Sequence, residues 1–435
     1  MASRKSHRQD PEVNALNVDL KAPPIDPRID KIVNDLTNPK DRERVPGVAL
    51  MVRKDWEIVH LNCYGYANLE TGAKIGLNTI FDLGSLSKQF TAAAVLMLVI
   101  LKKISLNDPL SKFFKGFPRY ADAITVEDLI HHTSGLPNYL EIYVQSRRAE
   151  QDWYEKAMAT VNDWYPQMPS GKKEITNKDV LKWIASQTLL PRPPDTDYEY
   201  CNSGYVVLAE LVARVTKMRL GEYLKEIVFD DLGMTHTYVF DEASRFAPDA
   251  PEIVNHAKCY NRVSGHFVPV GYTPLNFING DGNVHSTIVD LAKWDRNLHE
   301  LESNPVSDLM WTPIKVRSRR KQHYGAGWKL LTDRYKGEVE VKGRRVTTTY
   351  LTSAESHRGV WLGWRSFITR AARWPVMRTR NKVTALYEKA ESLGIIVLSN
   401  AVFNHEEFTT CRIAQEISRL YWEKDNIMNK FNCGV

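Results

Sequence analysis

Near the start of the chain, Ile29, Ile32, Val33 and Leu36 have the spacing of one helix face. The next apolar runs, 48–52 and 58–64, read as two strands joined at Lys54-Asp55, a hairpin. The far end has matching elements. Residues 359–369 and 394–399 look like strands, and 407–422 carries Ile413, Ile417, Leu420 and Tyr421 at helical spacing. Strands at both ends predict one sheet built from both, with the middle as an inserted helical region. That middle predicts helices over 91–101, 125–131, 177–186, 204–216 and 287–298. Residues 1–28, polar with Pro23, Pro24 and Pro27, read as a loose N-terminal arm. Two stretches read as insertions: the polar segment 150–173 and a basic loop at 370–384.

Composition narrows the class. Hydrophobic residues make up 43% and charged residues 25% of 435, the balance of a soluble globular protein rather than a disordered or collagen-like chain. The net charge, 58 − 52 = +6, is small for this length. Its basic residues come in short runs such as Arg317, Arg319, Arg320 and Lys321, which read as a solvated loop, so no nucleic-acid partner is expected. Cys63, Cys201, Cys259, Cys411 and Cys433 fit neither a disulfide framework nor a zinc pattern, and free thiols are expected. No apolar segment follows the basic N-terminus, and the longest apolar run, 92–101, is too short to span a bilayer. The expectation is a cytoplasmic protein without a membrane partner.

Candidate chemistry enters at Phe81-Asp-Leu-Gly-Ser85-Leu-Ser-Lys88. Gly84 allows a tight turn, and the run that follows has the composition of a buried helix. Ser85 therefore sits near a helix N-terminus, where unpaired N–H groups favour developing negative charge. Lys88 lies at i+3 on the same face, about 5–6 Å away at the Cβ atoms. A lysine sharing a partly buried pocket with a serine can take or relay its proton. The pattern alone is weak, since Ser170–Lys173 and Ser318–Lys321 match it without preceding a buried helix.

Further segments give the pattern a context. Thr125-Val-Glu-Asp-Leu-Ile-His-His-Thr-Ser-Gly135-Leu136 resembles the LLxHTSGL segment of the serine β-lactamase/penicillin-binding-protein superfamily. Within it the chain looks like the class C-like branch, which also holds family VIII esterases and D-aminopeptidases. Tyr200-Cys-Asn202 resembles the branch's Tyr-x-Asn motif, and Gly280-Asp-Gly-Asn-Val-His-Ser286 its GxGGLxS segment. His357-Arg-Gly359 resembles its His-x-Gly strand. The matches run in family order over about 45–400. Cys201 stands where Ser is usual, and His357 stands where β-lactamases of this branch carry Lys.

The resemblance implies a fold and roles. The fold is α/β (α+β), β-lactamase/transpeptidase-like: an antiparallel sheet with helices from both termini and an inserted all-helical subdomain. The sheet part would span about 29–80 and 320–430, the helical part about 88–300, within one domain at 29–430. Ser85 would be the nucleophile, Lys88 and Tyr200 its proton-transfer groups, and Asn202 an orienting amide. His357 would form a polar wall, partly charged at its ordinary pKa, with His323 as competitor. The N–H groups of Ser85 and Val360, next to Gly359, would form an oxyanion hole. No cofactor or metal is implied, and His131-His132 reads as structural rather than as a metal pair. The expected activity is hydrolysis of a small ester or amide through an acyl-serine, with ester favoured. Alternatives are D-amino-acid amidase or peptidase work, β-lactamase-like activity, acyl transfer to a metabolite, and a non-catalytic binding relative.

Overall fold

A computed structural model of the chain describes residues 16, 18–37, 44–140, 175–241, 255–270, 275–300, 305–314, 316, 323–341, 344–378, 383–385, 390–403 and 409–422. The segment at 150–173 and both other Ser-x-x-Lys matches lie outside them.

The predicted hairpin forms as β1 (Val48–Lys54) and β2 (Glu57–Tyr64). β1 also pairs antiparallel with the strand Glu391–Ser399, Val48 opposite Ser399 and Lys54 opposite Leu393. The sheet continues through Trp364–Arg378, Arg344–Trp361 and Lys329–Val341. One sheet is thus built from both ends of the chain, as expected.

Period-two alternation explains why two cores meet at this sheet. Val48, Leu50, Val52, Leu393, Ile395 and Val397 pack with Ile29 and Val33 of the helix Pro27–Thr37 and with Ile413 and Ile417 of the helix Thr409–Tyr421. Ala49, Met51, Ile396 and Leu398 face the other way, into the core shared with the helical part. β1 is buried on both faces, which is why its sequence is a continuous apolar run. The segment entering the first helix lies along β2: Leu61 donates its N–H to the Pro24 carbonyl, and Asp26 to His60 Nδ1 at 3.0 Å.

Three expectations change. Residues 359–369 are not one strand but the two sides of a hairpin that turns at Leu362-Gly363. The stretch read as a basic loop at 370–384 continues that hairpin as strand through Arg378, and Val383–Ala385 pairs back on it. The basic composition hid a strand: Arg370 is buried, and Arg373 reaches Glu391 at 2.9 Å. Cys63, Cys201 and Cys259 carry no disulfide, but Cys411 is disulfide-bonded, against the expectation of free thiols. Among the described residues no helix is long and apolar enough to cross a membrane.

A buried ion pair ties the helix Ile288–Glu300 to the sheet: Arg53 Nη2 lies 2.8 Å from Asp295 Oδ2, with the side chains 4% and 1% exposed. Removing one partner of such a pair leaves a charge buried and uncompensated, at a cost of about 3–5 kcal/mol. Asp295→Ala should lower unfolding stability by about that much in urea denaturation. A loss under about 1 kcal/mol would show that this pair does not hold the helix down.

Candidate active site

The nucleophile candidate stands on a built elbow. The short strand Phe81–Asp82 pairs with Val284–Ser286, the chain turns through Gly84–Leu86, and the helix Ser87–Ile100 begins. Gly84 sits at φ +52°, and a Cβ there would meet the Val360 nitrogen at 2.9 Å. Asp82 Oδ1 accepts the Gly84 N–H at 2.8 Å, and Ser87 Oγ accepts that of Val284 at 2.9 Å. Ser85 emerges at the crest, partly exposed, while its neighbours are buried.

The wall strand presses against this elbow. A Cβ at Gly359 would lie 1.9 Å from the Leu83 carbonyl oxygen, which accepts the Ser366 hydroxyl at 2.7 Å. Glycine is what lets strand and elbow touch, and it brings the Val360 N–H beside Ser85. The Val360 side chain points out, 40% exposed.

Lys88 is fully buried, and its Nζ has three acceptors: Asn202 Oδ1 at 2.8 Å, the Asp281 carbonyl at 2.7 Å and Ser85 Oγ at 3.3 Å. Burial pushes its pKa down to about 8, against the opposing pull of the Asp281 carboxylate. When the amine loses one proton, the two short bonds keep its remaining hydrogens. The vacated lone pair then faces the longer contact, Ser85 Oγ. A proton acceptor is thereby aimed at the hydroxyl.

Tyr200 lies beside this pair. Burial raises its pKa, and a hydrogen bond with Ser85 pulls it partly back. The phenol therefore keeps its proton at neutral pH, and Lys88 is the group with basic capacity there. The Lys88 ammonium sits 4.9 Å from the Tyr200 ring centroid. His132 props the ring from below, with centroids 4.4 Å apart, and also packs on Tyr198, Tyr205 and Tyr324. Its Nδ1 accepts the Cys201 N–H at 3.1 Å, and the Cys201 thiol donates to the Leu136 carbonyl at 3.3 Å. The motif's departure from Ser is thus accommodated in place. His131 contacts the carbonyls of Glu127 and Thr312, so the His-His pair serves packing.

His357 corrects an expectation. It is buried, its Nε2 meets the Tyr324 hydroxyl at 3.0 Å, and its pKa is held down to about 3 by burial and then by Lys88. It is neutral, not partly charged, and stands behind Tyr200 with ring centroids 6.3 Å apart. His323, the competitor, is exposed.

The structure gathers Ser85, Lys88, Tyr200, Asn202, Gly359 and Val360 around the elbow, with His357 buried behind Tyr200. It adds residues that sequence reasoning did not single out. Tyr139 donates to Asp281 Oδ2 at 2.8 Å and, with Asp281, lines a small cavity of about 30 Å³ beside Ser85. Leu275, Ile278 and Trp361 complete its walls. Asp281 holds the variable position of the Gly280 segment, whose departure from the family pattern is Asn283, and Tyr139 gave no signal. Among the described residues no cluster of acidic, histidine and cysteine side chains is arranged to hold a metal ion.

A mixed sheet-and-helix domain with a Ser-Lys-Tyr cleft between its parts is the architecture of the serine β-lactamase and penicillin-binding fold. The Beta-lactamase family model matches residues 29–417, and the chain belongs to that family of serine hydrolases. Penicillin-binding protein 4* of Bacillus subtilis is 25% identical over 324 residues, covering 72% of this chain and 63% of the relative. Unguisins hydrolase ungD of Aspergillus violaceofuscus is 28% identical over 274 residues, covering 60% and 43%. The chain thus matches less than two thirds of the length of either. The octameric penicillin-binding protein homologue from Pyrococcus abyssi has a TM-score of 0.62 at 23% identity, covering 92% of this chain and 77% of that one, and so shows the shared fold.

A base with a pKa near 8 makes a pH prediction. Because burial depresses the Lys88 pKa, the free amine is populated above it, so kcat/KM on an ester should rise through about pH 8 and level off. A flat initial-rate profile from about pH 6 to 10 would remove Lys88 from the base's role.

Proposed function

We propose that the chain hydrolyses small esters through an acyl-Ser85 intermediate. The reading is carried by the Lys88 amine, 3.3 Å from Ser85 Oγ with its other hydrogens committed to Asn202 and the Asp281 carbonyl. In acylation Ser85 Oγ attacks the ester carbonyl, its proton passes to Lys88, and the oxyanion faces the N–H groups of Ser85 and Val360. The Tyr200 phenol gives its proton to the departing alkoxide and recovers one from Lys88. Water then takes the alcohol's place, and the same groups run the steps in reverse to release the acid.

Two observations support a short-chain ester over other substrates. The cavity beside Ser85, about 30 Å³, suits a short acyl group. The strand position that carries Lys in β-lactamases of this branch holds the neutral, inward-bonded His357, so that position offers no positive charge to a β-lactam carboxylate. Amide cleavage is the second reading, favoured by a relative described as a putative D-alanyl-D-alanine carboxypeptidase, 27% identical over 218 residues.

Ser85→Ala should abolish turnover of p-nitrophenyl acetate and labelling by a fluorophosphonate, seen by intact mass, while the circular dichroism stays native. Wild-type-like turnover in that variant would sink the mechanism. The wild type should prefer acetate to octanoate and turn over either acetate or butyrate faster than nitrocefin. Faster nitrocefin hydrolysis, or faster cleavage of D-amino-acid amides, would put one of those readings first.

Lys88→Ala and Tyr200→Phe should each cost about 10²–10⁴-fold in rate. Both serve one relay, so the double variant should lose much less than the product of the single losses. Multiplicative losses would separate their roles.

A further inference from the structure

Away from the catalytic cleft lies a second cavity of about 540 Å³, whose lining includes Asp82, Phe240, His256, His285 and Trp364 but none of Ser85, Lys88 and Tyr200. It is an order of magnitude larger than the space beside Ser85, within the size range of small-molecule sites.

Its walls are aromatic and mutually braced. His285 stacks on His256 with centroids 5.0 Å apart and planes 29° apart, and on Tyr238 at 5.3 Å and 24°. Trp364 stands edge-on to His256 at 5.6 Å and to Phe81 at 6.0 Å. Phe240 lies 5.6 Å from the His285 ring.

A line of polar atoms crosses this frame. His256 Nε2 is 2.9 Å from His285 Nδ1, and His285 Nε2 is 3.9 Å from Asp82 Oδ2. Burial holds both imidazoles neutral, His256 at about 4. The ammonium of Lys258, the lysine of the lining, lies 3.2 Å from a Glu70 carboxylate oxygen. The lining thus offers flat aromatic faces and two neutral imidazoles beside the Asp82 carboxyl, and its lysine is already paired with Glu70. Among the described lining residues an anion finds no unpaired cation, whereas a flat uncharged ring finds faces to stack on.

We propose that this cavity is a ligand site for an uncharged planar aromatic molecule bearing one hydroxyl or ring N–H, and that its occupant alters the reactivity of Ser85. The ring lies between Trp364 and Phe240, and the polar hydrogen meets the His256–His285–Asp82 line. The link to the nucleophile is short. Asp82, at one end of that line, holds the Gly84 N–H at 2.8 Å, and Gly84 is the turn residue in contact with the Val360 strand. A ligand hydroxyl that binds at Oδ2 draws on the same carboxyl whose Oδ1 holds the elbow.

The test uses the full chain and 2-naphthol as probe, with naphthalene as the ring lacking the hydroxyl. Isothermal titration should show saturable binding at one site per chain. Val270→Trp, which fills the cavity from its rim, should weaken 2-naphthol by at least about tenfold while fluorophosphonate labelling of Ser85 still occurs. His256→Phe keeps a ring in the stack and removes the nitrogens. It should cost 2-naphthol about tenfold, the scale of one unmade buried hydrogen bond, and leave naphthalene unchanged. In the wild type, saturating 2-naphthol should change the fluorophosphonate labelling rate without competing with it. No saturable binding, or binding indifferent to both substitutions, would overturn the site. Binding that leaves the labelling rate unchanged, or that competes with the phosphonate, would overturn the effect on Ser85.

Discussion

The burial of one ammonium group organises this protein. An amine out of water must find acceptors or give up its charge. Lys88 finds them on three separate parts of the chain: the elbow that carries Ser85, the start of the helix at Asn202, and the loop at Asp281. Each acceptor is itself held. Asn202 begins the helix Asn202–Thr216, and Asp281 is fixed by Tyr139. The same contacts that satisfy the amine therefore aim it, and the proposed mechanism draws on the loss of its charge at mildly basic pH. Structure and mechanism share one constraint.

Much of this was legible in the sequence where neighbours in the chain decide the outcome. The apolar runs of β1 and β2 and the helical spacing at Ile413 and Ile417 mark chain that must be buried, and the elements formed there. The Ser-x-x-Lys spacing is one helical turn, so it placed Lys88 beside Ser85 without knowledge of the rest. The hairpin arm of Arg344–Trp361 and Trp364–Arg378 was misread because its polar side chains hide an extended backbone. Strand there is imposed by cross-strand pairing, not by local composition.

The site's remaining parts depend on distance in three dimensions. Nothing near Tyr139 in sequence says that its hydroxyl meets Asp281, 142 residues away. The charge of His357 was misjudged for a related reason. An isolated imidazole titrates near neutrality, whereas this one is sealed behind Tyr200 and Tyr324 and feels Lys88. Asp82 belongs to the same group: an ordinary acidic residue in sequence, a buried carboxyl raised to about 7 in the structure, chiefly by desolvation.

The pairing of β1 with Glu391–Ser399 has a consequence for how the chain is made. β1 is apolar on both faces, yet its second neighbour in the sheet is separated from it by more than 300 residues. Until that distant segment leaves the ribosome, the hairpin presents an open hydrophobic edge, the kind of surface that invites wrong pairing. The elbow around Ser85 is translated 360 − 85 = 275 residues before Val360. Over that interval a nascent chain carries Ser85 without the Val360 N–H that the proposed mechanism pairs with it, and it acquires that group when the sheet can close.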